Sequence, residues 1–207
     1  MKLGYSAWGM PMLTIDEQVK TVASLGYRGI ELICIPGSST DVATLNAPER
    51  ARIRRLIHDA HLELPAIAAH ANPLESDPPK LAANLSRIRA GFDLAADLAG
   101  PEGTPCVVLM GYGQPEHYER DRELLAERFR VLADDARQRG VTIALEAHVG
   151  QAIDTPERSI WLVERVGHPS FRLNLDTSHF DVMGFSIAES IRPLAKYAVH
   201  TLSLIHI

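Results

Sequence analysis

The sequence predicts a parallel α/β barrel, and three observations carry the prediction. Short apolar runs alternate with longer amphipathic stretches along the whole chain, the pattern of parallel strands covered by helices. The later strands are apolar on one face only. Phe171, Leu173 and Leu175 alternate with Arg172, Asn174 and Asp176, and Ile143 and Leu145 alternate with Ala144, Glu146 and His148. A strand of an open sheet covered on both sides is apolar on both, so a small or polar face points into a barrel that opens on a site. The third observation is the count. A full eight-unit barrel takes about 250 residues, whereas 207 residues supply six βα units and the beginning of a seventh strand. The expectation is an α/β (β/α)8 barrel truncated within or after strand seven, as a single domain over residues 1–201.

Strands are expected at 3–6, 29–35, 64–70, 105–110, 141–148, 171–176 and 197–201. The helices between them are punctuated locally. Thr14 and Glu17 form a capping box, Val19, Val22 and Ala23 give the buried stripe, and Gly26 supplies the stop. Over 121–140, Leu125, Phe129, Leu132 and Ala136 share one helical face opposite a charged one. Thr155 caps a helix with Pro156 at its first position, and Gly167 follows its last turn. Ser186 and Glu189 form a second capping box, with Pro193 shortening or kinking the helix behind it.

Composition excludes several classes. A net charge of −5, with acids and bases interspersed, lacks the basic footprint of a nucleic-acid binder. No apolar run approaches membrane-spanning length, and "MKLGYSAWG" has no apolar leader core. Cys34 and Cys106 sit in apolar runs rather than in a spaced framework, which fits a reducing, cytoplasmic compartment. The sequon at Asn84 falls inside a helical pattern and reads as coincidence.

Functional groups of parallel α/β proteins collect where strands end at their carboxyl edge. The polar residues there are Glu31, His70, Glu146 with His148, Asp176 with His179, and His200. Period-two counting turns all but His179 to one side, and His179 returns to the opening if the chain turns after Asp176. Carboxylates with imidazoles and no cysteine suit a divalent ion, Mn2+, Co2+ or Mg2+, with Zn2+ compatible. Each residue also has a plainer reading. Glu31 can be an inward acid paired to an arginine such as Arg172. His70 and His148 can be satisfied core histidines, and Asp176 can cap the following turn.

"IALEAH", "LNLDTSHF" and a strand ending in "VHT", in that order, resemble the xylose isomerase-like TIM barrels. The likeness is to their sugar phosphate isomerase/epimerase group, and "KLGYSAW", "LGYRGIEL" and "GVTIALE" fit the same group. The resemblance implies that Glu146 and Asp176 ligate the metal and that Glu146 acts in catalysis. It sets His179 near the substrate oxygens as a second catalytic group, with His70, His148 and Glu31 lining the substrate site. The family completes its metal sphere with a His from strand seven and a Glu from strand eight. The strand-seven motif is often H-x-H with the second His as ligand; here the first is His200 and the second position holds Leu202. His200 is therefore the weaker ligand candidate, and the chain is expected to be weakly active or inactive. Ketose 3-epimerases carry another acid soon after the strand-five Glu, whereas "HVGQAIDTP" has none before Asp154.

The activity so implied is a metal-dependent sugar or sugar phosphate isomerase or epimerase. It moves a proton next to a carbonyl through an enediolate, on a small sugar or polyol, with no nucleic-acid or membrane partner. The alternatives on this scaffold are a dehydratase or lyase acting on a cyclic polyol, an abasic-site endonuclease-like hydrolase, and a sugar-binding barrel without turnover. The hexapeptide 202–207, "LSLIHI", is what the terminal repeat of a transposon-based sequencing adapter encodes. It is expected to be a non-native tail, the other reading being a natural apolar strand end. Unpaired barrel edges would favour association, so a homo-oligomer is allowed.

Overall fold

The computed structural model describes residues 2–203. Its strands are β1 (Gly4–Ser6), β2 (Gly29–Ile33), β3 (Ala66–Ala68), β4 (Cys106–Met110), β5 (Ile143–Glu146), β6 (Phe171–Asp176) and β7 (Ala198–Leu202). They form one sheet in chain order, every neighbouring pair parallel. The helices are α1 (Ile15–Ser24), α2 (Ala47–Asp59), α3 (Pro78–Leu98), α4 (Tyr118–Gln138), α5 (Pro156–Val166), α6 (Thr177–Val182) and α7 (Ile187–Leu194). The result is seven strands of an α/β barrel with helices outside. Of the expected tail, Leu202 ends β7, and residues 204–207 lie outside the described residues. Among the described residues no helix is long and apolar enough to cross a membrane.

Local chemistry sets the helix starts. The Thr14 hydroxyl accepts from the Glu17 amide while the Glu17 carboxylate accepts from the Thr14 amide, completing the capping box. Thr155 caps α5 through the Arg158 amide, and Gly167 ends it at φ 60°, a left-handed conformation that suits glycine. At α7 only half of the second box forms. Ser186 accepts from the Glu189 amide, but Glu189 returns no bond. Pro193 sits one residue before the helix ends and so terminates it rather than kinking its middle.

Two apolar layers follow from the alternation of side chains along the strands. Ile30, Leu32, Ile67, Val107, Leu109, Ile143, Leu145, Phe171 and Leu173 face outward and are buried under the helices. Phe129 of α4, for example, packs on Phe171 with ring centroids 5.0 Å apart. Each such side chain contributes about 1.5–3 kcal/mol on burial. The inner layer is small: Ala7, Ile33, Ala66, Ala68, Cys106, Val108 and Ala144. Both cysteines are buried and free, and burial pushes their thiols up to about 12.

Three strands end earlier than the sequence suggests. β2 stops at Ile33, whose carbonyl is taken by the Ser38 and Thr40 hydroxyls. β3 stops at Ala68 and β5 at Glu146, leaving His70 and His148 on loops. After β5 the His148 amide bonds the Ile153 carbonyl at 3.0 Å, and the Ile153 amide bonds the Gly111 carbonyl at 3.2 Å. That loop folds back on itself instead of extending the sheet. The Asn84 amide group of the chance sequon bonds the Asn72 carbonyl, tying α3 to the loop after β3.

Candidate functional site

The register aligns the inward residues in rungs across the sheet. Ile33, Ala68, Val108, Ala144 and Arg172 are consecutive partners, and so are Met110, Glu146, Asn174 and His200 one pleat nearer the carboxyl edge. Asp176 and Leu202 pair on the rung above. The sequence thus stacks apolar residues below, with Arg172 ending that rung, and places a carboxylate, an amide and an imidazole side by side at the opening.

Glu146 is the hub. It is 6% exposed, its Oε2 accepts from Asn174 Nδ2 at 3.1 Å, and its Oε1 lies 3.1 Å from His179 Nε2. His179 reaches this point because β6 hands over directly to α6. Asp176 caps that helix, its Oδ1 accepting from the Ser178 amide and hydroxyl. One helical turn then sets His179 Nε2 3.7 Å from Asp176 Oδ2. His148 packs its ring on that of His179, with centroids 3.9 Å apart. Glu146, His148 and His179 each offer one donor atom, all within 4.8 Å of one another.

The loop carrying His148 depends on a glycine. A Cβ at Gly111 would stand 2.4 Å from the Ile153 Cβ, and Gly111 also bonds the Glu146 carbonyl and the Ile153 amide through its backbone. Gly111→Ala is expected to cost about 1–3 kcal/mol by overpacking and to displace His148. Chemical denaturation and the His148 ring resonances read these two effects.

The charges reinforce one another. Burial works against an ionised Glu146, but the His179 bond and the nearby His70, His179 and His148 outweigh it and hold its pKa below the usual range. Burial likewise works against a charged His179, and the Glu146 bond with the Asp176 and Glu146 charges outweighs that, raising its pKa. Burial lowers the pKa of His70. The sign for stability follows. The His179 contribution is complete below pH 6.5 and lost as pH rises through its raised pKa; that of Glu146 is complete above 4.5 and lost as pH falls through its lowered one. The metal-free protein should therefore lose unfolding free energy as pH rises above 6.5 through the raised pKa of His179, and His179→Gln should flatten that slope.

Glu31 and His200 stand in a separate group. Glu31 is bonded by Ser6 Oγ at 2.6 Å and approached by His200 Nε2 at 3.2 Å. The plainer reading that pairs Glu31 with Arg172 does not hold, because Arg172 contacts the Phe171 carbonyl. His70 stacks on Trp8 with ring centroids 5.8 Å apart, and its buried Nδ1 has no hydrogen-bond partner among the described residues. Asp154 is held by Arg158 at 2.8 Å, and Arg158 also bonds the Ala152 and Pro115 carbonyls. That acid fastens the loop to α5. The fold therefore brings together Glu146, His148, His179 and Asp176, and sets His200 with Glu31. Ser6, Trp8 and Asn174 were missed from the sequence. Ser6 and Asn174 carry the signal that would have found them, an inward polar residue on a strand.

The donor set fits a divalent ion. It combines one ionised carboxylate oxygen with two imidazole nitrogens, a second carboxylate stands beside them, and the buried Asn174 Oδ1 next to Glu146 lacks a partner among the described residues. A surface cavity of about 720 Å3 lies at the other end of the barrel, between Arg28, Arg54, Arg55, His61 and Pro105. Its lining comes from the loops that enter β2, β3 and β4. The polar groups of the barrel gather at the opposite, carboxyl end, where barrels of this kind keep their chemistry.

The fold and the carboxylate–imidazole cluster at the carboxyl ends of β5 and β6 define the class, a parallel α/β barrel with its polar groups at the carboxyl edge. The chain belongs to the xylose isomerase-like TIM barrel family, whose profile matches residues 19–207. It is 25% identical over 167 residues to a 3-dehydroshikimate dehydratase of Pseudomonas putida, covering 80% of this chain and 25% of that protein. The chain thus spans only a quarter of that relative's length. It is 24% identical over 211 residues to a putative hydroxypyruvate isomerase of Homo sapiens, covering 94% of this chain and 72% of that one. Among solved structures, D-psicose 3-epimerase superposes with a TM-score of 0.80 at 19% identity, over 98% of this chain and 73% of that one. The IOLI protein with a bound zinc atom gives a TM-score of 0.80 at 20% identity, over 98% and 72%. These two likenesses establish the fold alone.

Proposed function

We propose that the site belongs to a metal-dependent isomerase or epimerase that moves a proton next to the carbonyl of a small sugar or sugar phosphate. The observation that carries this reading is the Glu146 cluster: a buried, ionised carboxylate in contact with His179, with His148 and Asp176 alongside, at the carboxyl edge of adjacent strands. Glu146 and Asp176 would hold the ion, with His148 or His179 in reach of it. The ion, when bound, supplies electrophilic stabilisation of the charge that develops on the substrate oxygens. Glu146 takes the proton from the carbon beside the carbonyl. His179, held with Nε2 beside Glu146 and Asp176, is placed to hydrogen-bond the oxygen that gains charge. Asn174 fixes the Glu146 carboxylate through Oε2, so that Oε1 is the oxygen presented to substrate or to His179. The loops at 70–80 and 111–121 leave β3 and β4 on this side and would shape the substrate pocket.

A second reading has one observation in its favour. Asp154, the first acid after Glu146, is occupied by Arg158, and a dehydratase is among the relatives. The same proton abstraction followed by loss of a hydroxyl group is a dehydration.

Solvent exchange tests both. The protein, loaded with Mn2+, Co2+ or Zn2+, is incubated in D2O with D-fructose, D-psicose, hydroxypyruvate or 3-dehydroshikimate. Deuterium entering a recovered ketose supports isomerase or epimerase chemistry, and water loss with a new conjugated chromophore supports the dehydratase. Failure to bind metal, together with no exchange on any of the four, overturns the proposal.

A further inference from the structure

Opposite the Glu146 cluster stands a second buried carboxylate with partners of its own. Glu31 is 3% exposed. Ser6 is its direct register partner on β1 and donates its hydroxyl to Oε1 at 2.6 Å. His200 arrives from β7, 169 residues away in sequence, and sets Nε2 3.2 Å from Oε2. No Lys or Arg among the described residues pairs with Glu31, so the serine and the histidine are its only side-chain partners there.

The chemistry of these groups restricts their protons. An ionised carboxylate only accepts, so the Ser6 hydroxyl must donate and the imidazole must present N–H at Nε2. The remaining ring nitrogen, Nδ1, then carries a lone pair. It has no hydrogen-bond partner among the described residues, and His200 keeps a 13% exposed side chain beside Asn174 on the rung of Glu146. Were the contact only a fastening of β7, an apolar pair would serve without burying a carboxylate. His200 Nε2 is thus engaged by Glu31.

We propose that Ser6 and Glu31 are positioning residues which hold His200 as its Nε2–H tautomer, so that Nδ1 accepts a hydrogen bond from a hydroxyl group of the substrate. The ligand class is a polyhydroxylated carbonyl compound, one of whose hydroxyls lies across the opening from Glu146. The substrate half of this statement rests on the function proposed above; the tautomer half does not.

The test is long-range 15N–1H correlation spectroscopy of the full chain at about pH 8, where a free histidine is neutral. His200→Gln assigns the resonances by their loss. The expected result is a pyrrole-like Nε2 and a pyridine-like Nδ1 for His200, and Glu31→Ala should mix the two tautomers. Glu31→Gln, which keeps an acceptor oxygen, should restore the wild-type pattern and serves if Glu31→Ala fails to fold. An Nδ1–H tautomer, an imidazolium, or a pattern unmoved in Glu31→Ala overturns the positioning role. Saturation with D-fructose, hydroxypyruvate or 3-dehydroshikimate should shift the Nδ1 resonance for at least one of them; no shift with any of the three overturns the acceptor role. For the compound that turns over, Glu31→Ala should raise KM about 10-fold with kcat little changed. The tautomer pattern is decided without turnover, so failure of the positioning role and failure of the proposed function are read separately.

Discussion

Glu146→Gln is expected to weaken divalent-metal binding by about 100-fold or more while leaving the protein folded. Loss of a residue that merely supports a ligand costs about 10–100-fold, and Glu146 is common to both candidate ligand sets. It pairs with Asp176 in the set implied by the family, and with His148 and His179 in the cluster the fold assembles. Glutamine keeps the size of the side chain and an oxygen for Asn174 to bond, but it removes the charge that draws both His179 and the ion. Because a neutral amide also escapes the desolvation that a buried carboxylate suffers, the stability loss should stay within about 1 kcal/mol. Calorimetric titration with Mn2+, Co2+ and Zn2+ measures the affinity, and urea denaturation the stability. Wild-type affinity in a folded Glu146→Gln protein would place the metal elsewhere.

Leu202→His should act in the opposite direction, tightening Co2+ or Mn2+ binding by about 10-fold or more. Leu202 is the direct register partner of Asp176, and it shares the inward phase of His200 and Asn174. An imidazole there would stand next to the Asp176 carboxylate at the position where the family's H-x-H motif puts its ligand. Linkage supplies a second readout. At a metal concentration 100 times the dissociation constant, binding adds about 2.7 kcal/mol to the folded state, so the variant should gain more thermal stability from added Co2+ than wild type does. Equal affinities in the two proteins would show that the β7 edge does not contribute to the site.

The parts of the site that strand periodicity governs were legible in the sequence. Glu146, Asp176 and Asn174 fall on the inward face because side chains alternate along a strand, and β6 hands over at Asp176 where Asp-Thr-Ser offers a helix cap. Strand ends were harder to place. Ala69, Ala71 and Ala147 are buried in loops, so hydropathy does not mark where pairing stops. The Ser38 and Thr40 hydroxyls and the Ile153 carbonyl mark it instead, and these arrive from elsewhere in the chain. Hence His70 and His148 were assigned to strands and lie on loops. The partner of Glu31 was beyond local reasoning altogether. Arg172 is nearer in sequence to the site residues of β6, but curvature of the sheet brings His200 across from β7 to Glu31.

The inner layer beneath the site, where Ala66, Ala68 and Ala144 stand with Ile33, Cys106 and Val108, limits how a site on this scaffold can be reshaped. Ala66, Ala68 and Ala144 carry only a methyl group, and a larger side chain at Ala144 would rise directly beneath Glu146. This part of the floor cannot be raised without moving Glu146. New specificity must then be written in the rim, by insertion, shortening or exchange within the loops at 70–80 and 111–121. Diversity of substrate within one chemistry is what a fixed floor and a replaceable rim allow.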